Sequence, residues 1–124
     1  MNVTEITLDD WLQSTEERRN ELAAYGKTPL PADVGERHAD LDQAIRASDD
    51  AGRLLADAES FLAQHFAQSV LSMRERYPDL TAKEREAIVR AEVRDIQRIV
   101  DSLSISVRTI KNRIMVNLNE NRAR

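Results

Sequence analysis

The sequence predicts an all-α protein, on three observations. An apolar residue recurs in alternating steps of four and three through residues 89–114, the spacing of a helix that presents one stripe to a partner helix. Only 4% of the residues are aromatic, and the 124-residue chain has three glycines and three prolines. Such a composition favours helices over strands. We expect a short N-terminal helix and a long antiparallel helical hairpin with coiled-coil-like packing, in a protein that forms oligomers.

The N-terminal helix is predicted within residues 1–26. It begins after Thr7, which forms a partial capping box with Asp10, and it ends near Gly26. Residues 27–31 read Lys-Thr-Pro-Leu-Pro and form a stiff linker, because each proline disfavours helix in the residue before it.

The long hairpin is predicted over residues 32–124, with its turn at residues 77–81. Its first helix covers residues 32–76, where Gly52 is the expected bend. The apolar track of this helix shifts in phase at Phe66. The apolar residues from Phe66 onwards therefore lie on a different line along the helix surface from the alanine-rich residues that precede Phe66.

The turn of the hairpin carries its own start and stop signals. Pro78 ends the first long helix, and Thr81 with Glu84 forms a capping box that opens the second, predicted as one unbroken helix over residues 82–118. Because a connection this short joins neighbours, the two long helices are expected to be antiparallel.

One apolar stripe of the last helix forms the predicted packing seam. Every second member of the stripe is β-branched, which favours seams of few strands. Its members are Val93, Ile96, Val100, Leu103, Val107, Ile110 and Ile114. Bulky residues such as Ile88, Ile105 and Met115 lie off the stripe, and a two-helix hairpin cannot bury all of them. We expect the N-terminal helix to cover one extra face and an oligomer or partner interface to cover another.

Charge is distributed unevenly within a net charge of −4. Residues 31–66 hold three basic and eight acidic side chains, whereas residues 94–124 hold seven basic and three acidic ones. Two interpretations stay open. Antiparallel pairing places Asp49 and Asp50 within reach of three basic residues, Arg108, Lys111 and Arg113. It also places Glu36, Asp40 and Asp42 near residues 117–123, so that the two segments neutralise each other. Alternatively, the basic helix binds nucleic acid. The candidate residues for that role are Arg108, Lys111, Asn112, Arg113, Arg122 and Arg124.

Part of the last helix has the pattern of a DNA-binding motif. Residues 99–112 read I-V-x-x-L-x-I-S-x-x-T-I-K-N, and residues 80–86 read L-T-x-x-E-R-E. These segments resemble the recognition half and the opening of a LuxR-type helix-turn-helix. The resemblance implies a turn inside the predicted seam and places Thr109, Lys111 and Asn112 at the start of a recognition helix.

Motifs for catalysis are missing from the sequence. There is no cysteine, no E-x-x-H pair, no glycine-rich phosphate loop and no Ser-His-Asp pattern. We therefore expect no enzymatic activity, no cofactor, no metal site and no small-molecule substrate. No apolar run approaches the roughly 18 residues of a membrane span, and no leader is recognisable. The expected location is the cytoplasm, without membrane contact.

The expected function follows from packing signals and not from chemistry. We predict a non-enzymatic interaction or adaptor protein that self-associates and serves as an accessory factor in a larger assembly. Its partners would be a second copy and another protein. One alternative is a nucleic-acid-binding accessory factor of recombination or replication, or a helix-turn-helix regulator. Another alternative is an inhibitor of a host enzyme.

Overall fold

The computed structural model describes the backbone of residues 6–122 and the side chains of residues 6–119. This part of the chain contains four helices and no strand, so the predicted all-α class is confirmed. The helices are α1 (Leu8–Lys27), α2 (Val34–Arg76), α3 (Ala82–Glu92) and α4 (Arg94–Arg122).

Side-chain caps set the first residue of three helices. The hydroxyl oxygens of Thr7 and Thr81 accept hydrogen bonds from the backbone N–H three residues on, as predicted. Helix α2 begins at Val34, two residues later than the predicted start at Ala32. The reason is Asp33, whose carboxylate accepts from the backbone N–H of Glu36 and makes residue 33 the N-cap.

The predicted single helix over residues 82–118 is wrong in one respect, because it is interrupted at Val93. This residue has φ −96° and ψ 7°, outside the helical range. Its N–H still bonds the Val89 carbonyl, and its own carbonyl accepts from the Gln97 N–H, so the hydrogen-bond ladder continues across the irregularity. We attribute the interruption to the drift of a straight helix, about 20° per heptad away from a seam with a period of 3.5 residues. Helix α2 continues through Gly52 without a break.

Helices α2 and α4 pack antiparallel. Ala58 of α2 clusters with Leu103 of α4, whereas Ala47, nearer the start of α2, clusters with Ile110, nearer the end of α4. Five of the seven predicted seam residues are buried, and Val107 and Ile114 are half-buried against the same clusters.

Helix α1 lies along one side of the α2–α4 pair. Its two buried side chains are Trp11 and Leu22. The Trp11 ring lies 5.5 Å from the Phe61 ring, and its Nε1 donates to an Asp57 carboxylate oxygen. Arg18 forms a 2.6 Å ion pair with Asp50. Asp50 is therefore paired with α1, and not with the basic end of α4 as predicted.

Helix α1 is too short to accompany α2 along its length. It has 20 residues against the 43 of α2, or about 30 Å against about 64 Å at 1.5 Å per residue. We call residues 66–76 of α2 together with residues 82–95 the arm. Among the described residues, no hydrogen bond, ion pair or buried cluster that involves α1 includes a residue of the arm. Within residues 6–122, the arm is therefore a pair of helices without a third.

Candidate interaction groove and a buried polar cluster

A buried ion pair between Asp40 and Arg113 ties α2 to α4. The guanidinium donates from Nη2 to Oδ1 at 2.8 Å and from Nε to Oδ2 at 2.9 Å, and each side chain is only 6% exposed. The same guanidinium donates to the backbone carbonyls of Tyr25, Thr28 and Pro29. One side chain thus holds the end of α1 and the linker onto the helix pair, as the planar, five-donor guanidinium allows.

Two further side chains complete this polar cluster. The Tyr25 hydroxyl donates to Asp40 Oδ1 at 2.7 Å, and the Tyr25 ring lies 4.4 Å from the guanidinium carbon of Arg113. Asn117 donates from Nδ2 to Asp40 Oδ2 at 2.9 Å. Among the described residues the Asn117 carbonyl oxygen has no hydrogen-bond partner, although Asn117 is only 1% exposed.

Charge states within the cluster follow from burial and pairing. Burial alone raises the pKa of Asp40, but the hydrogen bonds from Arg113, Tyr25 and Asn117 outweigh it and leave the pKa below its usual value. Burial, with the bond to Asp40, raises the pKa of Tyr25 to about 12. At neutral pH the cluster therefore holds an ionised carboxylate and a neutral phenol. The hydrogen bonds of the cluster are made within the protein, and we interpret the cluster as a structural element that holds the end of α1 and the linker against α2 and α4.

The structure divides the predicted nucleic-acid-binding residues. Arg113 differs from the other candidates, because its guanidinium is buried against Asp40. Arg108, Lys111 and Asn112 are exposed, and no side-chain hydrogen bond or ion pair engages them in the described part of the chain. The side chains of Arg122 and Arg124 lie outside the described residues.

The resemblance to a LuxR-type helix-turn-helix is not realised in the fold. Helix α4 continues without a turn through residues 103–106, where the motif requires one. Ser106 is buried and donates back to the carbonyl of Ser102, and Thr109 donates to the carbonyl of Ile105. These hydroxyls bond within one helix. A recognition helix beginning near Thr109 is therefore a wrong prediction.

A groove with a volume of about 700 Å³ lies between α2 and the α3–α4 junction. No α1 residue lines it. Its apolar floor consists of Leu62, Ala63, Phe66, Val93 and Val100. A smaller hollow of about 110 Å³ follows along the same helices towards the turn, lined by Val70 and Val89 among others.

Charged residues border this groove and the hollow beside it. The groove is lined by the carboxylates of Glu59 and Asp101, and its α3–α4 side also carries Arg90, Arg94 and Arg98. The hollow near the turn is lined by Arg74, Arg85 and Glu86. Glu59, Arg74 and Arg85 are without a side-chain hydrogen bond or ion pair within the described residues. The border is therefore of mixed charge, with more arginines than carboxylates, and partly unpaired.

Val93 and Val100 belong to the predicted seam, but the groove residues of α2 were not predicted as part of a site, although one signal pointed to them. The apolar track of α2 changes phase near Phe66, so Phe66 and Val70 lie on a different line from Ala44 and Ala51. In the structure the alanines pack in the buried cluster with α1 and α4, whereas Phe66 and Val70 remain half-buried along the groove. A phase shift marks the place where a helix changes the neighbour that it faces.

Other kinds of site were sought across residues 6–122. No group of three or more metal-ligating side chains occurs among the described residues, and none of the described helices combines the length and apolar character that a bilayer crossing needs. No known protein family, curated protein or solved structure matches this chain. The groove is the candidate site that rests on geometry.

Proposed function

We propose that this protein is a non-enzymatic interaction module that self-associates through the groove beside the arm, and that it acts as an accessory or adaptor component of a larger assembly. The observation that carries the proposal is the groove itself. It is an apolar channel of about 700 Å³ with a charged border, on a helix pair that α1 leaves uncovered. Grooves between helices are a common seat for a further helix.

Exposed apolar side chains support the same conclusion. Leu71 in the arm is 63% exposed. Ala63, Ala67 and Leu71 occur at every fourth position, so they follow one side of α2 next to the groove. The arm buries few large side chains of its own, namely Met73, Val89 and Val93. A partner packed on the groove would remove this apolar surface from water, at about 25 cal/mol per Å².

Self-association predicts a particle heavier than the 14.1 kDa chain. Sedimentation equilibrium at micromolar concentration should report at least a dimer whose population rises with concentration. Ala63→Glu places a charge on the groove floor without touching the buried core and should shift the protein to monomer. The matched control is Ala39→Glu, an exposed alanine elsewhere on α2, which should leave the mass unchanged. A parent that remains a monomer at these concentrations contradicts the proposal.

Nucleic-acid binding is a second candidate, and one observation favours it. Arg108, Lys111 and Asn112 of α4 are exposed. Within the described residues, their side chains have no hydrogen-bond or ion-pair partner. Exposed cations on one helix neutralise phosphates and release counterions.

For this second candidate we expect weak, salt-sensitive binding to duplex DNA. Fluorescence anisotropy should show affinity falling by about tenfold or more between 50 and 200 mM salt. Arg108→Glu and Lys111→Glu should each weaken binding, whereas Arg46→Glu on α2, also exposed, should not. Arg113 is unsuitable for this test, because changing it disrupts the buried cluster. Absence of binding at 50 mM salt would remove this candidate.

A further inference from the structure

We infer that a small cleft between α1 and α4 is a binding site for a phosphate group. The cleft has a volume of about 140 Å³. Its polar lining consists of Arg19 and Asn20 of α1 with Arg98 and Ser102 of α4, and the rest of its lining is apolar. The cleft shares only Arg98 with the groove, and the inference does not depend on self-association.

The cleft offers hydrogen-bond donors and no carboxylate. The side chains of Asn20, Arg98 and Ser102 have neither a hydrogen bond nor an ion pair within the described residues. No aspartate or glutamate lines the cleft, although the chain has 22 acidic residues. Two guanidinium groups that share a cleft without a carboxylate repel each other. An anion bound between them would remove that repulsion and accept hydrogen bonds from both.

Arg19 is held in place and still has donors available. Its Nε donates to Thr15 Oγ1 at 3.1 Å, and its Nη2 donates to the Leu12 carbonyl at 2.9 Å. Its guanidinium carbon lies 5.8 Å from the centre of the Trp11 ring. A guanidinium has five N–H donors and these bonds use two of them, so three remain for a ligand. A donor that is fixed before binding loses little freedom when the ligand arrives.

The size of the cleft and its donors together select the class of ligand. Sites for drug-sized molecules usually have volumes of about 300–1,000 Å³. A cleft of about 140 Å³ therefore accepts a small ion or the end group of a larger molecule. A phosphate group carries at least three strong acceptor oxygens, against two in a carboxylate, and a planar guanidinium matches its geometry. The two sources of this chemistry are inorganic phosphate and a phosphomonoester.

Thermal unfolding tests the site, because a ligand that binds only the folded protein raises the midpoint of unfolding. At about 50 mM, inorganic phosphate should raise the midpoint of the parent, relative to chloride at equal ionic strength, by about 3 °C more than it raises that of Arg98→Gln. The matched control is Arg94→Gln. Arg94 is exposed, lies one turn earlier on α4 and lines the groove but not the cleft, so this variant should respond like the parent.

Backbone amide NMR locates the ligand and identifies its source. Phosphate should shift the amide resonances of residues 19–23 and 98–102, with a dissociation constant on the order of 1 mM, and Arg98→Gln should lose these shifts. Glycerol 3-phosphate is the probe for a phosphomonoester. Binding at least about tenfold weaker than that of phosphate would assign the site to the free ion, and equal or tighter binding would assign it to an ester.

Three outcomes would overturn the site. An equal rise of the midpoint in the parent and in Arg98→Gln would mean that phosphate acts through the solvent on the whole protein. Loss of the response in Arg94→Gln as well would mean that the general charge of α4 attracts the anion. Amide shifts that leave residues 19–23 unaffected would exclude a ligand between α1 and α4. None of these outcomes bears on self-association, which sedimentation decides.

Discussion

Leu103→Asp should lower the free energy of unfolding by more than about 3 kcal/mol, a large part of the 5–15 kcal/mol that holds a small domain together. Leu103 is 2% exposed and lies in one cluster with Trp11, Phe61 and Val100. An aspartate there would lose hydration among apolar side chains, which is costly for a charged group.

The measurement is urea denaturation followed by helical circular dichroism. Ser102→Asp is the control, one position away on the same helix but exposed, and it should change stability by less than about 0.5 kcal/mol. If the two variants unfold at the same urea concentration, the packing of α4 against α2 and α1 is not as described.

The second large effect is expected at the buried ion pair. Arg113→Met keeps the apolar stem but removes the charge, leaving the Asp40 carboxylate buried without its cation. Breaking one side of such a pair typically costs about 3–5 kcal/mol. The double variant Asp40→Leu/Arg113→Met should regain only part of the loss, because the buried unpaired charge is gone but Tyr25 and Asn117 still lack the carboxylate that accepts from them. Arg108→Met, at an exposed arginine of the same helix, is the control.

The pH dependence of the same variants separates charge from packing. In the parent, the pKa of Asp40 lies below its usual value. The carboxylate therefore contributes stability that is present above the unfolded pKa, about 3.9, and is lost as pH falls through the lower folded pKa. In Arg113→Met, burial acts without the opposing guanidinium, so the pKa of Asp40 rises above its unfolded value. Protonation of Asp40 then removes the unpaired buried charge of the variant. The difference in unfolding free energy between the parent and the variant should therefore shrink between pH 7 and pH 4. A deficit independent of pH would point to lost packing alone.

Helix boundaries and the buried stripe of α4 were accessible from sequence because both depend on local or periodic signals. Thr7 and Thr81 are recognisable from sequence as N-caps. Each hydroxyl accepts a hydrogen bond from the backbone N–H three residues on, and this bond requires no other part of the fold. The stripe through Val100 and Leu103 repeats for several heptads, so its burial follows from spacing alone.

The polar cluster and the groove were not accessible in that way, because each depends on where a third element lies. In the sequence, nothing distinguishes Arg113 from Arg108 and Lys111, which are exposed in the structure. Its burial depends on the position of the end of α1. The same placement explains Asp50, which pairs with Arg18 of α1 and leaves the basic end of α4 to Asp40. Sequence periodicity gives the face of a helix, but the partner of each polar side chain requires the register between helices.

The docking of α1 onto α4 has a consequence for synthesis on the ribosome. Leu22 of α1 is buried in the same cluster as Ile110, and Tyr25 is held by Arg113, so the residues that cover α1 are made about 88 residues after it. At 5–20 residues per second, this interval is on the order of 4–18 s. Throughout that time the apolar side of α1, with Trp11 and Leu22, has no completed surface on which to pack. Nascent α1 therefore remains a potential binding site for chaperones until the last quarter of the chain has left the exit tunnel.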